Sequence, residues 1–282
     1  MKISVLNYFV CPICHNALVF LIHKKTKERV VDGELNCKTC CKKFCIKDGI
    51  ICFLSYRKPT EKAIQKLRKI TLEQEIPGKW TRLYSKQEME SLKKEWDWMF
   101  SVVKKGKGAV HLDFATGTGR FLRNIIPKIK GEIVVLDNGF GACKELQYFL
   151  KKIGKYGNVS IVCADARKMP FKERIFDSVT SWHGLDEPKM GKVIKETWRV
   201  LKKGAWFAAS GLHFQKKSKS FLIAKKHHIQ FITKRTVTQA LKKTGFRKVK
   251  HKIFFQGKWN EKESYLPVFS DFYSTYAIKA EK

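Results

Sequence analysis

VHLDFATGTGR, residues 110–120, is an apolar run that stops at an acid and continues into a turn with two glycines. The run predicts a buried strand ending near Asp113, and the sequence after the turn favours a helix. Gly117 and Gly119 carry no Cβ, so the backbone can approach a ligand closely at the carboxyl edge of a parallel sheet. A single G-x-G is weak evidence alone, and Leu122 stands where a dinucleotide-binding turn has its third glycine.

Three further strand-like segments strengthen this interpretation. Residues 133–137 end at Asp137, 24 residues after the first acid, where a second strand can present a carboxylate to ribose hydroxyls. Residues 159–166 and 175–182 supply a third and a fourth strand, and Asp165 closes the third. Strands that alternate with helical spacers predict a doubly wound, Rossmann-like α/β sheet.

The order of these segments resembles that of the class I methyltransferases that use S-adenosylmethionine, of the type 11-like kind. The segment RVLKKGA, residues 199–205, is similar to the family's helix-to-strand turn before its fifth strand. The resemblance covers residues 96–282 and implies an enzyme with a seven-stranded sheet. It also implies a set of cofactor-binding residues, namely Asp113, Ala115, Gly117, Gly119, Asp137, Asn138, Asp165, Ala166 and Ser181.

The resemblance also implies a role for most of that set. Its first four residues would surround the methionine part of the cofactor, Asp137 would hold the ribose hydroxyls, and Asp165 with Ala166 would meet the adenine edge. Two positions depart from the family: Ala115 replaces a usual glycine, and Asn138 follows the ribose acid where an aliphatic residue is common. Alanine is small enough for the same turn. The alternative is that the three acids only cap strand ends and helices, as Asp often does.

A second, independent pattern lies near the amino terminus. Cys11, Cys14, Cys37 and Cys40 form two C-x2-C pairs separated by 22 residues, which can present four thiolates to one structural zinc ion. Cys41 is an alternative fourth ligand because it is adjacent to Cys40. Seven of the nine cysteines lie between residues 11 and 52, but no signal peptide is recognisable. A disulfide scaffold is therefore disfavoured, and a reducing, cytoplasmic location is expected.

Residues 7–54 resemble the Trm-type zinc-ribbon modules that are fused to, or partnered with, methyltransferases. Cys45 occupies a proline position of those modules, and Cys41 a usual glycine position. The pattern predicts Cys45 and Cys52 as small buried side chains. The order of the modules is similar to that of bacterial enzymes that methylate guanine N1 in large-subunit ribosomal RNA.

The sequence predicts three parts: a zinc ribbon at 1–54, a helical bridge at 55–95 and a catalytic domain at 96–282. The bridge is charged and is broken at residues 76–78, Ile-Pro-Gly. Aromatic residues within and just after it are expected to pack against the sheet, with stacking on substrate as the alternative. They are Trp80, Tyr84, Trp96, Trp98 and Phe100. No apolar run is long enough to predict stable membrane insertion, and a protein partner or homodimer stays open.

The charge of the chain predicts a polyanionic partner. Lys and Arg number 58 against 25 Asp and Glu, a formal net charge of +33. Residues 212–282 hold 17 basic and 4 acidic residues, a net of +13. Lysine contacts to phosphate give salt-dependent, sequence-tolerant affinity, which suits a large RNA. The alternatives are a solvated basic face without a partner and an anionic membrane surface.

The acceptor side is predicted from SWHGLDEP, residues 181–188, which follows the fourth strand. This loop lacks the Asn/Asp-Pro-Pro-aromatic motif of amino-methylating members, and it lacks the cysteine that cytosine-C5 enzymes require. His183 is the candidate general base because it follows a strand end and titrates near neutral pH, and Asp186 is the second candidate. The alternative is an ordinary loop or helix-capping histidine, while Trp182 either stacks on a base or fills the sheet edge.

Together these features predict a cytoplasmic S-adenosylmethionine-dependent methyltransferase whose zinc ribbon helps bind structured RNA, either ribosomal or transfer RNA. The first alternative is a methyltransferase of a small molecule such as a quinone or lipid precursor, marked by an enclosed apolar pocket beside the sulfonium. The second is a non-catalytic RNA-binding protein that retains the fold. The sequence does not specify the target nucleotide, the methylated atom or the oligomeric state.

Overall fold

A computed structural model of the chain describes residues 1–56, 58–74, 84–187, 190–262 and 266–282. The expected helix break at 76–78, Trp80 and Pro188 lie outside these ranges. Within them the chain forms eleven β-strands and seven α-helices.

The strands share one continuous sheet. Their bounds are β1 (Leu18–Lys25), β2 (Val30–Cys37), β3 (Lys43–Lys47), β4 (Ile50–Cys52), β5 (Val110–Phe114), β6 (Glu132–Asp137), β7 (Val159–Cys163), β8 (Phe176–Ser181), β9 (Leu201–Phe214), β10 (Arg247–Lys258) and β11 (Phe272–Glu281). The spatial order is β1-β2-β3-β4-β7-β6-β5-β8-β9-β11-β10.

Seven of these strands form the doubly wound sheet that the sequence predicts. β7, β6, β5, β8 and β9 run parallel, and β11 lies antiparallel between β9 and β10. The first of the seven, β5, lies in the middle of this part of the sheet, and the later strands add on both sides of it. Every residue of β5 is buried, as expected for a parallel strand covered on both faces. The Rossmann-like α/β prediction is confirmed.

The predicted strand number was wrong, because four amino-terminal strands extend the sheet. β4 pairs in parallel with β7, which places Ile50 opposite Ile161 and Cys52 opposite Cys163. All three residues of β4 are buried and apolar, so they cover an edge that β7 would otherwise expose. Cys52 is buried as predicted, whereas its partner across the strands, Cys45, is half-buried. The amino-terminal strands therefore continue the catalytic sheet, while the domain boundaries themselves stay predictions.

The helices cover both faces of the sheet. They are α1 (Glu61–Gln74), α2 (Lys86–Phe100), α3 (Arg120–Ile125), α4 (Phe140–Lys152), α5 (Gly191–Val200), α6 (Lys219–Lys226) and α7 (Lys234–Thr244). Helices α2, α3 and α4 pack on one core with Ile133 and Val135, and helices α5 and α7 pack on the other with Val134 and Leu136. Alternate residues of β6 thus face opposite cores, as the pleat of a strand requires.

Two helix ends are set by local sequence. Ser85 and Glu88 form a reciprocal capping box at the start of α2. Thr233 accepts a hydrogen bond from the Thr236 amide at the start of α7, and Gly245 ends that helix at φ 109°. Among the described residues, no helix is both long and apolar enough to cross a membrane.

Candidate active site

The turn between β5 and α3 has the conformation that the glycine pattern predicts. Ala115, Gly117 and Gly119 have left-handed φ values of 52°, 57° and 86°. The left-handed conformation costs a non-glycine residue roughly 1–2 kcal/mol, so Ala115 adopts a shape that glycine takes more easily. A Cβ built at Gly117 meets no atom within 4 Å. The space beside this glycine is therefore open to a ligand.

Asp113 holds this turn in place through hydrogen bonds at the end of β5. Its carboxylate accepts hydrogen bonds from the hydroxyls of Thr180 at 2.5 Å and Thr116 at 2.8 Å. Burial raises the pKa of Asp113 to about 7, and the charge of Asp137 adds to that increase while the hydroxyl bonds oppose it. Asp113 is 2% exposed and does not line the cavity above the turn. We therefore describe it as a residue that positions the turn.

A cavity of about 630 Å³ opens at the carboxyl ends of β5, β6 and β7, and we call it the strand-end cavity. Asp137 lines it, and its two carboxylate oxygens accept hydrogen bonds from the Gly117 amide at 2.7 Å and the Gly139 amide at 2.8 Å. Burial raises the pKa of Asp137, and the backbone hydrogen bonds oppose this change. The structure thus brings the predicted second acid directly against the predicted glycine turn.

Most of the predicted cofactor set lines the strand-end cavity. The residues are Ala115, Gly117, Asp137, Asn138, Asp165 and Ala166. Asp165 accepts hydrogen bonds from the amide and the guanidinium of Arg167, at 2.8 and 2.9 Å. Burial alone would raise the pKa of Asp165, but the bonds to Arg167 hold it below its usual value.

The other two predicted cofactor residues lie behind the cavity. A Cβ at Gly119 would meet Leu146 Cδ1 at 2.5 Å, so this glycine allows α3 to pack closely on α4. Ser181 is buried and donates a hydrogen bond to the Phe114 carbonyl oxygen at 2.9 Å. Neither residue lines the strand-end cavity. The first contact packs α3 on α4, and the second joins β8 to β5.

The two candidate catalytic residues form one pair. His183 Nδ1 lies 2.7 Å from one carboxylate oxygen of Asp186, whose other oxygen accepts from the Leu212 amide at 3.1 Å. Burial lowers the pKa of His183, but the hydrogen bond and charge of Asp186, with the charge of Glu95, raise it above its usual value. His183 has a φ of 60°, a left-handed value that a non-glycine residue rarely adopts. Asp186 thus orients the ring through Nδ1.

A second cavity, of about 270 Å³, adjoins the first, and we call it the aromatic cavity. Its rings are those of Tyr84, Trp182, His183, Phe255, Trp259 and Tyr273. The remaining lining residues are Glu88, Leu92, Glu95, Arg120, Leu212, Leu266, Pro267 and Thr275. Trp182 and His183 line both cavities and form the wall between them.

Glu95 is a buried acid in this wall. It lies on α2, is 1% exposed and accepts a hydrogen bond from Trp182 Nε1 at 3.0 Å. Burial raises its pKa to about 7, opposed by the charge of His183 and by hydrogen bonds that include that of Trp182. Burial therefore favours the protonated form of this carboxyl group.

Sequence reasoning missed most of the aromatic cavity. Glu95, Arg120 and Trp259 come from separate parts of the chain, and no local motif connects them. A signal exists only in α2, where an acid lies on a helix that also buries Met99 and Phe100.

The predicted bridge aromatics divide between the two roles considered. Trp98 packs on Phe254 at 5.8 Å between ring centroids. Trp96 packs edge-on against Trp182 at 5.7 Å, whereas Tyr84 lines the aromatic cavity. Packing is thus the common role, and Tyr84 is the residue placed for contact with a ligand.

The predicted zinc ligands lie together. Their four Sγ atoms are within 4.8 Å of one another, with Cys11 to Cys40 at 3.5 Å and Cys14 to Cys37 at 3.4 Å. Thiolates that share a tetrahedral zinc at about 2.3 Å are separated by roughly 3.8 Å, so these residues fit that ion. Cys41 is exposed and does not belong to the cluster. The geometry favours Cys40 as the fourth ligand.

Comparison with known sequences identifies a methyltransferase region. Residues 112–204 match the family described as "Methyltransferase domain". The chain is 38% identical over 114 residues to the ubiquinone/menaquinone biosynthesis C-methyltransferase of Pseudomonas paraeruginosa, covering 39% of this chain and 44% of that protein. It is 33% identical over 101 residues to the enzyme of the same name from Escherichia fergusonii, covering 35% and 40%. The chain therefore spans less than half the length of these curated relatives.

Solved structures share the fold. Haemonchus contortus phosphoethanolamine N-methyltransferase 2 in complex with S-adenosyl-L-methionine has a TM-score of 0.54 at 17% identity, covering 67% of this chain and 52% of that one. A putative methyltransferase from Bacillus halodurans has a TM-score of 0.52 at 20% identity, covering 67% and 99%. The chain thus has the Rossmann-like α/β fold of class I methyltransferases. With the sequence matches, this supports an enzyme over a non-catalytic protein.

Proposed function

We propose that this chain is an S-adenosylmethionine-dependent methyltransferase whose acceptor is a small, largely apolar molecule held in the aromatic cavity. The observation that carries the proposal is the shared wall of Trp182 and His183 between two cavities of different character. One cavity lies at the strand ends with predicted cofactor residues, and the other is lined by rings. A small-molecule acceptor is the first alternative that the sequence leaves open, and it predicts an apolar pocket beside the sulfonium.

The strand-end cavity suits the cofactor. Asp137 ends β6 inside it, and the space beside Gly117 admits a ligand against the backbone. Asp165 and Ala166 follow β7 in the same cavity, and the family resemblance implies that they meet the adenine edge. When bound, the cofactor would supply an electrophilic methyl group on a sulfonium.

The residues of the shared wall would position and deprotonate the acceptor. His183 would accept a proton from the acceptor at Nε2, because Asp186 engages Nδ1. The charge of Asp186 would stabilise the imidazolium that forms, and the surrounding rings would exclude water. Positioning supplies much of the rate in such a displacement, so a single base and a close-fitting cavity are sufficient machinery.

The curated relatives indicate the acceptor class. Their printed names describe C-methylation in ubiquinone and menaquinone biosynthesis. We propose by analogy that the acceptor here is a ring carbon of a small aromatic compound. The methyl–sulfur bond would break, a methyl–carbon bond would form, and the displaced proton would pass to His183.

Methyl-labelled cofactor tests this proposal directly. The protein is incubated with label and, separately, with a small-molecule extract, total RNA or a protein extract from the host. Uptake in the small-molecule fraction is the expected result. Uptake in RNA alone would replace this proposal with the RNA acceptor predicted from charge, and no uptake in any fraction would refute both.

The RNA acceptor is the second candidate, favoured by the edge strand. Lys248, Lys250 and Lys252 are exposed at alternate positions of β10, which lies at the end of the sheet. Such a stripe suits phosphate contacts, and it also discourages edge-to-edge association. RNA retained by the purified protein should be released as salt rises if the stripe binds phosphate, and salt-independent retention would contradict it.

We further propose that the four-cysteine cluster holds a structural zinc. A site with four thiolates has no open coordination position, so the ion would stabilise the amino-terminal strands and not take part in catalysis. Cys11→Ser should lose the metal measured by elemental analysis and unfold at lower temperature, whereas Cys41→Ser should keep one ion per chain. Equal metal content in both variants would refute the assignment.

A further inference from the structure

Arg120 is a buried cation at the aromatic cavity. It is the first residue of α3, it is 7% exposed, and it lines the cavity together with the rings. Its guanidinium carbon lies 5.4 Å from the ring centre of Tyr84, 5.6 Å from that of Trp182 and 5.9 Å from that of Trp96. The three rings lie within cation–π distance of the guanidinium, and an aromatic face does not replace the oxygen acceptors that its N–H donors require.

No counterion of Arg120 is present among the described residues. No carboxylate oxygen lies within 4.0 Å of its nitrogens, and no hydrogen bond from its guanidinium is found in that part of the chain. The two acids of the cavity are engaged elsewhere. Glu95 accepts from Trp182, and Glu88 accepts from Tyr273 Oη at 3.0 Å and from the Ser85 amide.

A buried charge without a partner is costly. Removing a guanidinium from water carries a penalty that an opposite charge must offset. The neighbouring groups offset little of it, because burial raises the pKa of Glu95 to about 7 and His183 is itself a second cation when protonated. Arg120 therefore presents a positive charge without a described counterion to the cavity.

We propose that the aromatic cavity binds an acceptor that carries a carboxylate, and that Arg120 pairs with this carboxylate through its two-pronged edge. The acceptor would thus be a small aromatic carboxylic acid, with its ring against Trp182 and Trp259 and its acid group at Arg120. A carboxylate fits the guanidinium fork in a bidentate manner, and a single fixed cation matches a monoanion better than a dianionic phosphate. This inference rests on the proposed function, because it takes the cavity as the acceptor site.

The amino-acid carboxylate of the cofactor is the competing source of the same chemistry. Arg120 lines the aromatic cavity but not the strand-end cavity, where the predicted cofactor residues lie. Position therefore assigns Arg120 to the acceptor.

The test compares acids with their neutral amides. Calorimetry first measures S-adenosylhomocysteine binding, and protein saturated with it is then titrated with benzoate, 4-hydroxybenzoate and 2-naphthoate and with the three matching amides. Charge-assisted hydrogen bonds of this kind are worth a preference on the order of 10- to 100-fold for an acid over its amide. Arg120→Met should abolish that preference, and Arg120→Lys should restore part of it because the charge is kept.

Lys128→Met is the matched control. Lys128 also lies over an aromatic ring, Phe100 at 5.2 Å, but it is outside both cavities. This variant should keep the acid preference, and thermal melting should show that each variant is folded.

Three results would overturn the inference. The first is equal affinity for acids and amides in the unchanged protein, or no acid binding at all. The second is an acid preference that survives Arg120→Met. The third is an Arg120→Met variant that loses affinity for S-adenosylhomocysteine with unchanged acid binding, which would assign Arg120 to the cofactor. Failure of the proposed function is a separate result, since it appears as absent S-adenosylhomocysteine binding in the first titration.

Discussion

The strand-end cavity is lined by residues at the ends of β5, β6, β7 and β8, whereas the aromatic cavity adds residues of α2, α3 and the last three strands to the shared wall. The first is therefore assembled from short segments whose positions the parallel sheet dictates. The aromatic cavity depends on how α2 packs against β9, β10 and β11. Local sequence therefore predicts the proposed cofactor cavity, whereas packing between distant segments forms the proposed acceptor cavity.

Substitution at the shared wall should have the largest effect on this comparison. His183→Gln is expected to lower the rate of methyl transfer by roughly 100- to 10,000-fold, because a positioned general base contributes about that much. Binding of S-adenosylhomocysteine should change little. Equal activity in the variant, measured with the labelled acceptor, would show that the wall only separates the cavities.

The Asp186 pair gives this prediction a pH dependence. The pKa of His183 is raised above its usual value despite its burial, through Asp186 and Glu95 and against Arg120. A base acts when deprotonated, so activity should rise with pH through that raised value. Asp186→Asn should move the midpoint of the rate profile to lower pH, and an unmoved midpoint would separate Asp186 from the titration.

Substitution in the strand-end cavity should have the next largest effect. Asp137→Ala removes the acceptor of two backbone hydrogen bonds and the proposed contact to ribose. Affinity for S-adenosylhomocysteine should fall by roughly 10- to 100-fold, since bonds to charged groups contribute about 1.5–3 kcal/mol. Calorimetry checks this, with Asp97→Ala at an exposed acid as the control. Unchanged affinity in Asp137→Ala would mean that β6 does not supply the ribose contact.

The aromatic cavity makes its own contribution to the pH dependence of stability. The pKa of Glu95 is raised by burial from 4.5 to about 7 in the folded chain. The folded state therefore binds this proton more tightly, and stability is fully present below pH 4.5 and is lost as pH rises towards 7. The loss is up to about 3 kcal/mol, from about 1.4 kcal/mol per pKa unit.

Glu95→Gln sharpens this prediction because glutamine is neutral and similar in shape. The free energy of unfolding in urea should fall less between pH 5 and pH 7.5 than in the unchanged chain. Some decrease with pH should remain, because burial also raises the pKa of Asp113. Glu90→Gln, at an exposed position of the same helix, should leave the slope intact. Identical slopes in all three proteins would place Glu95 in contact with water.

The smallest expected effect lies in the glycine turn. Ala115 has a left-handed φ of 52°, so Ala115→Gly relieves strain of roughly 1 kcal/mol but gains freedom in the unfolded chain of similar size. The net change in unfolding free energy should be within about 1 kcal/mol, whereas Ala115→Val should destabilise by more. Chemical denaturation measures both, and a neutral valine would show that the turn is not fixed.

The doubly wound sheet, the strand-end acids and the four-cysteine cluster were predictable from local sequence. The sheet follows from apolar strand patterns, the turn from glycines at left-handed positions, and the cysteine cluster from C-x2-C spacing. Each of these patterns spans a short stretch of the chain. Asp137 and Gly117 meet because adjacent parallel strands end at one edge.

Three other features depend on contacts that local sequence does not predict. The amino-terminal strands extend the sheet because β4 pairs with the edge of β7. No residue spacing in the sequence predicts this pairing. Asp186 proved to be the partner of His183, since a loop conformation brings the two side chains together. Glu95 and Arg120 line one cavity because α2 packs against β9, β10 and β11, while Trp96 of α2 contacts Phe121 of α3. Such long-range packing depends on the whole core and not on any one segment.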